Sequence, residues 1–390
     1  MNKNQKFKKK IYLIAGVGFL KAYSGTLYLI QSLEQLGCNV KVIVQCNKDE
    51  KFFYKEKIND IILLTRYDLK SGFARKILGL FHRITIIYYM LKSTKTIITE
   101  GTWLVESSII KRLKPKSKII QYSQELWLIE DHPWSKQAKL YEAYSKVSDR
   151  VIDVEPNRAM IRLKRFNLQT QPYVLFNTIP NLNIEFNKKG SLEIIANCTF
   201  PENIPIILYT GSVGVEKPFE RIIDAIAPIN GKIFLLAFCS TSDSNLEKLL
   251  YYASVKLKKG MYCIKPSIQR DLILESTWEC DIGIIDYTYS VIPTQNQKFC
   301  APTKLFEYMF SGLAIVGSNN PSLKVVIEKN GIGKCADGDS IECLTEAISY
   351  VISSEIKKMK SKSKKVFQKK YCYEQINIPV VKELIQYFNN

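Results

Sequence analysis

The sequence is poor in residues that bind metals through clustered imidazoles or thiolates. Its two histidines, His82 and His132, stand far apart, and its ten cysteines include no CxxC pair. This pattern excludes the usual zinc-site spacings and predicts no metal site. Scattered cysteines such as Cys263, Cys280 and Cys335 are typical of small core residues in strands of a cytosolic chain.

The sequence also lacks an apolar run of membrane-spanning length. Its longest run, Ile11–Leu20, is closed by Lys21 and fits a strand with its turn. The polar, lysine-rich segment before it resembles the start of a signal peptide. However, Lys21–Ser24 forms a poor cleavage site and the pattern continues as a fold. We therefore expect a cytoplasmic protein, with attachment to the inner face of the membrane left open.

Acidic residues are scarce relative to basic ones. There are 37 acidic and 56 basic residues, which gives a net charge of +19. Lysines concentrate in Lys3–Lys10 and in Glu355–Tyr371, which fits an anionic membrane surface or nucleic acid. No nucleic-acid-binding signature accompanies them, so no specific nucleic-acid partner is predicted. A solvated helical face or a general lysine bias explains the second run equally well.

The pattern along the chain predicts two successive series of strands and helices. The first opens with strand Ile11–Ala15, helix Ser24–Leu36 and strand Asn39–Val44, and the second opens with strand Ile206–Thr210. The polar, weakly periodic segment 181–205 between them is typical of a linker. We predict an α/β fold with two Rossmann-like domains facing a cleft, over residues 1–185 and 186–372. A terminal helix over 373–390 is predicted to pack back on the first domain.

The most informative stretch runs from Cys280 to Ser318. Strand Asp281–Ile285 is followed by a polar loop that leads directly into a helix beginning near Thr303. A loop that feeds a helix N-terminus after a strand exposes backbone N–H groups to an anion. Lys304 adds positive charge there, and Glu307 lies one turn further along. The alternative is an ordinary ion pair of these two side chains on a solvated face.

A second loop, Gly211–Lys217, is predicted to meet the first at the same sheet edge. Both loops leave the carboxyl ends of strands, which is where open α/β sheets bind ligands. Gly211 and Gly214 allow close backbone approach, while Ser212 and Lys217 can bind phosphate. The two loops together predict a site for a phosphorylated ligand, because a diphosphate needs cations to offset its charge.

The second series resembles the nucleotide-sugar domain of GT-B fold glycosyltransferases, specifically the retaining family-four group. The likeness lies in LYTGSVGVEKPFERIIDAI, CDIGIIDY and APTKLFEYMFSGLAIVGSNNPSLKVVIEKNGIGKC. The first series is similar more loosely, through AYSGTLYLIQSLEQLGCNVKVI and YVLFNTIPN. The APTK variant resembles a subgroup that acts in bacterial surface-polysaccharide assembly.

The resemblance implies roles for single residues. Glu307 would hold the donor ribose hydroxyls, Lys217 the diphosphate, and Thr303 with Lys304 the distal phosphate. Gly16 and Gly18 would lie near the donor phosphates or the acceptor. The donor would be a nucleoside diphosphate sugar, with no further cofactor and no metal.

Two positions depart from the family pattern. The family commonly has arginine where Ser212 stands, and a glutamate that touches the donor sugar where Phe299 stands. Because that glutamate is missing, the sequence does not decide between retention and inversion of the configuration at the donor sugar. The departures motivate an alternative, a non-catalytic GT-B subunit that binds or activates a partner transferase. A sugar-nucleotide epimerase is a further alternative.

Carboxylates in the first series are candidates for acid–base chemistry. Glu125, after the strand Lys118–Tyr122, and His132 lie on a loop that faces the donor sugar in the family. Glu125 could equally cap the next segment, and His132 could be a partly buried loop histidine beside Trp134. Glu100 is a third carboxylate after a strand, and a helix-start role fits it as well as a functional one. The function implied is transfer of a sugar to a glycan or lipid-linked acceptor.

Overall fold

A computed structural model describes residues 10–16, 24–48, 50–65, 72–100, 103–183, 189–214, 218–287 and 294–390. The chain divides into two compact units. The N-terminal unit comprises Met1–Asn177 together with Ile376–Asn390, and the C-terminal unit comprises Thr178–Gln375. The boundary that the sequence predicts, between residues 185 and 186, falls a few residues after this division.

The N-terminal unit is built on a parallel sheet of seven strands in the order β3-β2-β1-β4-β5-β6-β7. Short apolar runs form these strands because both faces of a parallel sheet are covered by helices. The strands are β1 Lys10–Ala15, β2 Asn39–Cys46, β3 Ile61–Thr65, β4 Lys95–Thr99, β5 Lys118–Tyr122, β6 Arg150–Asp153 and β7 Tyr173–Val174.

The helices of this unit connect the strands. Among the described cap positions, Ser135 accepts from the Ala138 N–H, and Glu155 accepts from the Arg158 N–H. The helices are α1 Ser24–Gln35, α2 Lys51–Lys57, α3 Gly72–Lys92, α4 Leu104–Leu113, α5 Lys136–Val147 and α6 Pro156–Arg165.

The C-terminal unit repeats the arrangement with six parallel strands in the order β10-β9-β8-β11-β12-β13. Its inner strands and the helices on one sheet face form a continuous apolar core that includes Ile207, Leu235 and Ile284. The strands are β8 Ile206–Ser212, β9 Phe234–Ser240, β10 Tyr262–Pro266, β11 Ile282–Ile285, β12 Ala314–Gly317 and β13 Gly333–Cys335.

The first helix of this unit lies inside the segment predicted as a linker, and that prediction is wrong there. The carboxylate of Glu279 accepts hydrogen bonds from the N–H groups of Gly190 and Leu192 and from the Ser191 hydroxyl, at 2.7–3.0 Å. This distant cap stabilises a helix that local periodicity does not show. The helices are α7 Ser191–Ala196, α8 Glu220–Ile226, α9 Asp243–Lys256, α10 Arg270–Ser276, α11 Gln295–Lys298, α12 Thr303–Phe310, α13 Pro321–Ile327, α14 Ile341–Ser353 and α15 Ile356–Val366.

The lysine run 355–371, which includes α15, is not wholly solvated. Lys360 donates to the Cys280 carbonyl at 2.6 Å and pairs with Asp281 at 3.0 Å. Lys370 donates to Asn330 at 3.1 Å. Part of this positive charge therefore serves internal packing of the C-terminal unit.

The predicted terminal helix is two helices, α16 Tyr373–Ile376 and α17 Ile378–Asn389. They are separated at Asn377, whose buried side chain donates to the Phe176 carbonyl and accepts from the Phe176 N–H, each at 2.9 Å. Pro379 then occupies the start of α17, where its missing N–H is tolerated. In the N-terminal unit, α17 contacts α1, and Lys95 donates to Asn389 at 2.8 Å.

Each sheet has one topological switch point, where consecutive crossovers turn to opposite sides. It lies between β1 and β4 in the N-terminal unit and between β8 and β11 in the C-terminal unit. Ligands of open α/β sheets bind beyond the strand carboxyl ends at such points. The fold thus places Gly16 and Glu100 at one switch point, and Gly211 and Tyr287 at the other.

Candidate functional site

A pocket of about 290 Å³ opens at the switch point of the C-terminal unit. Five of the predicted donor-binding residues line it: Gly211, Ser212, Thr303, Lys304 and Glu307. Its other lining residues come from the loop after β10, from the end of β11 and from the ends of nearby elements: Thr210, Ser267, Ile268, Arg270, Ile273, Tyr287 and Pro302. The described ends of the two predicted loops therefore line one pocket.

Gly211 holds the β8 side of the pocket in a conformation reserved for glycine. Its φ of +130° is strongly disfavoured for any residue with a Cβ. A Cβ placed on Gly211 would lie 2.9 Å from Lys304 Nζ, so the lysine side chain uses the space that glycine leaves. Lys304 Nζ also lies over the Tyr209 ring, 4.2 Å from its centroid. The cation is thus held against the end of β8.

Tyr209 keeps the strand end in place. Its hydroxyl donates to the Ser212 carbonyl at 2.7 Å. Burial, and then the neighbouring Tyr287, raise the pKa of Tyr209, so the phenol stays neutral beside Lys304. Burial also raises the pKa of nearby Cys239 to about 12, so this thiol is not a nucleophile at neutral pH.

Glu307 belongs to the pocket rather than to a solvated helix face. Its side chain is 15% exposed, and its Oε1 accepts a hydrogen bond of 2.6 Å from Arg270 Nε. The ion pair fixes the carboxylate so that its remaining lone pairs point in a defined direction. Glu307 can therefore accept hydrogen bonds from hydroxyl groups of a ligand.

The N-terminus of α12 forms another wall. The helix begins at Thr303, and Pro302 before it provides no side-chain cap. The first N–H groups of a helix carry partial positive charge, which favours a bound anion. Together with Lys304 they make this wall suitable for phosphate oxygens.

Some of the predicted site residues do not contribute to the described pocket. Of these, Lys217 and Gly18 lie outside the described residues. Gly16 has no heavy atom within 4 Å of a Cβ built on it, so the described structure sets no steric requirement for glycine there. Phe299 directly follows the short helix α11 and is not among the described residues that line the pocket.

In the N-terminal unit, buried arginines of α6 hold the loop after β5. Arg158 donates to the Gln124 carbonyl at 2.9 Å, and Arg162 donates to the Glu125 carbonyl at 3.2 Å. Arg162 is balanced by Asp153 at 3.0 Å, with both side chains fully buried. The Glu125 carboxylate lies 3.7 Å from Arg158. The loop that carries Glu125 is therefore rigidly positioned.

His132 lies further along this loop. Its ring packs on Trp127 with centroids 4.9 Å apart, and its backbone N–H donates to the Leu128 carbonyl at 3.0 Å. The partly buried histidine thus packs against Trp127, whereas Trp134 is 95% exposed. The geometry matches a loop histidine and leaves its catalytic role a prediction.

Glu100 is the most perturbed carboxylate of this edge. It follows β4 with a φ of +54°, an uncommon conformation for glutamate, and Oε1 accepts from the Gln124 N–H at 2.8 Å. Burial raises the pKa of Glu100 to about 8, the Gln124 N–H opposes this, and nearby Glu125 adds to it. A strained, proton-holding carboxyl at a switch point fits a functional group better than a helix-start carboxylate.

Arg270 is a pocket residue that no sequence motif marks. It lies at the start of α10, after β10. Its position after a predicted strand of the same parallel sheet could have indicated it, because this places the loop at the ligand-binding edge.

Among the described residues, no group of three histidine, cysteine or acidic side chains is placed to hold a metal ion.

No protein-family model matches the chain, and no curated protein matches it. Solved structures do. HepE of Anabaena, crystallised with UDP, superposes with a TM-score of 0.72 at 12% identity, over 97% of this chain and 99% of that one. Sucrose-phosphate synthase of Thermosynechococcus elongatus gives 0.69 at 15%, over 98% of both chains. A glycosyltransferase of Rickettsia africae gives 0.72 at 14%, also over 98% of both. The predicted GT-B fold is confirmed.

Proposed function

We propose that the protein is a glycosyltransferase that moves a sugar from a nucleoside diphosphate sugar to a glycan or lipid-linked acceptor. One observation carries the proposal: five residues predicted to bind the donor line a single pocket at the switch point of the C-terminal unit. HepE, which shares the fold, has been crystallised with UDP and with UDP-glucose. These findings support a nucleotide-sugar site.

The pocket side chains suit the parts of such a donor. Glu307, oriented by Arg270, accepts hydrogen bonds from the ribose hydroxyls. Lys304 and the first N–H groups of α12 offset the diphosphate charge, and Gly211 lets the backbone approach it. Lys217 is expected to add a second cation. These groups stabilise the departing diphosphate, so we propose transfer without a metal ion.

The N-terminal unit is proposed to supply the acceptor side. Glu125 and His132 remain the candidates for contact with the reacting sugar. Glu100 joins them, because a carboxyl whose pKa is about 8 can exchange a proton near neutral pH. If the sugar is inverted, one of these groups takes the proton of the acceptor hydroxyl. We favour retention, as the family-four resemblance implies.

We further propose a role in bacterial surface-polysaccharide synthesis, in the cytoplasm or on the inner face of the membrane. Among the described residues, no helix has both the length and the hydrophobicity needed to cross a bilayer. The basic net charge of +19 supports contact with an anionic membrane surface.

Calorimetry tests the proposal. UDP, GDP, CDP and dTDP are titrated, with and without EDTA, into the wild type, Glu307→Ala and the matched control Glu346→Ala on the exposed face of α14. We expect one nucleotide to bind in EDTA and its affinity to fall ten- to a hundredfold in Glu307→Ala only, since hydrogen bonds to a charged group contribute about 1.5–3 kcal/mol each.

The other outcomes separate the alternatives. If no nucleotide binds the wild type, the non-catalytic subunit is favoured. If Glu307→Ala binds as tightly as the wild type, the site assignment is wrong. Conversion of the donor sugar without an acceptor favours the epimerase.

A further inference from the structure

Helix α3 exposes an apolar stripe that the proposed chemistry does not use. The stripe consists of Phe73, Ile77, Leu80, Phe81, Ile84 and Tyr88, with exposed fractions from 49% at Tyr88 to 74% at Phe73. At 100° per residue these six positions fall within an arc of about 100° along most of the helix. They form a continuous surface rather than scattered exposed residues.

The fold does not need the stripe for its core. The opposite side of α3 already provides the core contacts through His82, Ile86 and Met90, which are buried. Ile86 and Met90 belong to the apolar cluster between the sheet and its helices. Six large apolar side chains that stay mostly in water are unfavourable relative to burial, because the hydrophobic free energy is proportional to the apolar area removed from water. An external partner that covers the stripe removes this area from water.

Cations border the stripe. At 100° per residue, Lys76, Arg83 and Lys92 lie within about 60° of its edges, whereas Arg75 lies on the opposite side, and α3 contains no acidic residue. All four are exposed; Arg83 pairs with Glu106 at 2.9 Å, and Lys92 Nζ lies over the Tyr88 ring, 4.3 Å from its centroid. Lys114, directly after α4, adds a cation at the end of α3, where it donates to the Leu91 carbonyl at 2.6 Å. An apolar band with a basic border complements an anionic lipid interface.

We infer that α3 docks the protein in the plane of an anionic lipid surface, with the stripe inserted among the acyl chains and the cations at the headgroups. A second copy of the chain fits less well, because stripe-to-stripe pairing would bring identical cations together in a protein of net charge +19. The purpose of such docking rests on the proposed function, since a lipid-linked acceptor lies at that surface. The docking itself does not depend on the proposed function.

Vesicle co-sedimentation tests the inference with the full chain. The probes are vesicles of phosphatidylglycerol and phosphatidylcholine, and vesicles of phosphatidylcholine alone. The variant is L80E/I84E. The matched control is Y251E/V255E on α9, where two exposed apolar residues have the same spacing and receive the same charge. L80S/I84S removes the apolar groups without adding charge.

We expect the wild type and the control to bind the anionic vesicles. Binding should weaken but persist at about 1 M salt, where the screening length is about 3 Å. L80E/I84E should lose at least tenfold in partitioning, and L80S/I84S several-fold. Binding of either variant equal to wild type, or no binding by the wild type at any salt, would overturn the inference.

Two further readouts keep the result interpretable. Circular dichroism of each variant checks folding, which substitutions at these exposed positions should leave intact. Light scattering detects a wild-type dimer that L80E/I84E dissociates, and that result would assign the stripe to a second copy instead. Nucleotide calorimetry on the same samples separates failure of docking from failure of the proposed function, because the pocket lies in the other unit.

Discussion

The carboxyl-end edges of the two sheets manage charge in opposite ways, although both sheets have the same switch-point topology. In the N-terminal unit, the arginine beside the end of β6 is buried and balanced, as Arg162 is by Asp153. In the C-terminal unit they stay partly exposed around an open pocket, as with Arg270, whose side chain is 36% exposed, and Glu307. Buried charges that pair with each other make a rigid scaffold, whereas partly exposed charges can still bind a ligand.

The two edges should therefore respond differently to substitution. Breaking the buried pair at the end of β6 should appear first as lost stability. Damage at the C-terminal pocket should appear first as lost ligand affinity. Four substitutions test this contrast.

Breaking the buried pair should have the largest effect. Arg162→Ala leaves Asp153 buried without its partner, which should lower the free energy of unfolding by about 3–5 kcal/mol. Arg165→Ala on the same helix is the control, because its pair with Glu130 is exposed and contributes about 0–1 kcal/mol. Urea titrations compare the two. Equal effects would contradict the contrast between buried and open charge.

Gly211→Ala should act on both stability and affinity. Its φ of +130° and its 2.9 Å approach to Lys304 Nζ predict a loss of about 1–3 kcal/mol in stability, with a displaced lysine and weaker nucleotide binding. Gly260→Ala, outside the pocket lining, is the control, because its φ is also positive, at +81°, but a Cβ there meets no atom within 4 Å; nucleotide affinity should not change. Thermal unfolding and calorimetry measure the pair. Tolerance of alanine at position 211 would mean that the pocket does not depend on this conformation.

Glu100→Gln should change the pH dependence of stability. The pKa of Glu100 rises from an ordinary 4.5 to about 8 in the folded protein, so the folded state holds the proton more tightly. The contribution of this group to the free energy of unfolding is fully present below about pH 4.5. It is lost as pH rises through about 8, by up to about 1.4 kcal/mol per pH unit.

The variant should therefore be more stable than wild type at high pH and equal to it at low pH. Urea titrations near these two limits measure the difference. Glu130→Gln, at an exposed ion pair, is the control and should show no such change. An unchanged slope in Glu100→Gln would mean that Glu100 is ionised in the folded protein at neutral pH.

Arg270→Ala should have the smallest effect. It releases Glu307 without removing it, so nucleotide affinity should fall about fivefold, which corresponds to about 1 kcal/mol, while stability changes little. Arg221→Ala, at the Asp286 pair outside the lining of the pocket, is the control. A loss as large as in Glu307→Ala would show that Arg270 binds the ligand itself.

Much of the fold could be predicted from the sequence, because buried parallel strands are short apolar runs with clear ends. The strand Lys118–Tyr122 and the start of α12 at Thr303 agree with the structure. Elements that depend on distant partners could not be predicted. Helix α7 relies on Glu279, and the break at Asn377 relies on Phe176, both far away in sequence.

The site was predictable where glycine and lysine mark a loop. The roles of Gly211 and Lys304 can be predicted from their residue types and their positions beside strand ends. Arg270 reaches the same pocket only because the strand before it belongs to the same sheet, and the sequence does not show the strand order. The apolar stripe on α3 shows another limit. The helix is apolar on two sides, so periodicity alone does not tell which side the core covers.

The N-terminal unit is completed by residues 376–390, which follow the whole C-terminal unit in the chain. Lys95 and Lys118 of its sheet donate to Asn389 and to the Tyr387 carbonyl, and Phe176 exchanges two hydrogen bonds with Asn377. During synthesis, these partners of the first sheet leave the ribosome only after the C-terminal unit has been translated. The unit that is made first is therefore finished last, and until then it exposes the surface that α17 will cover.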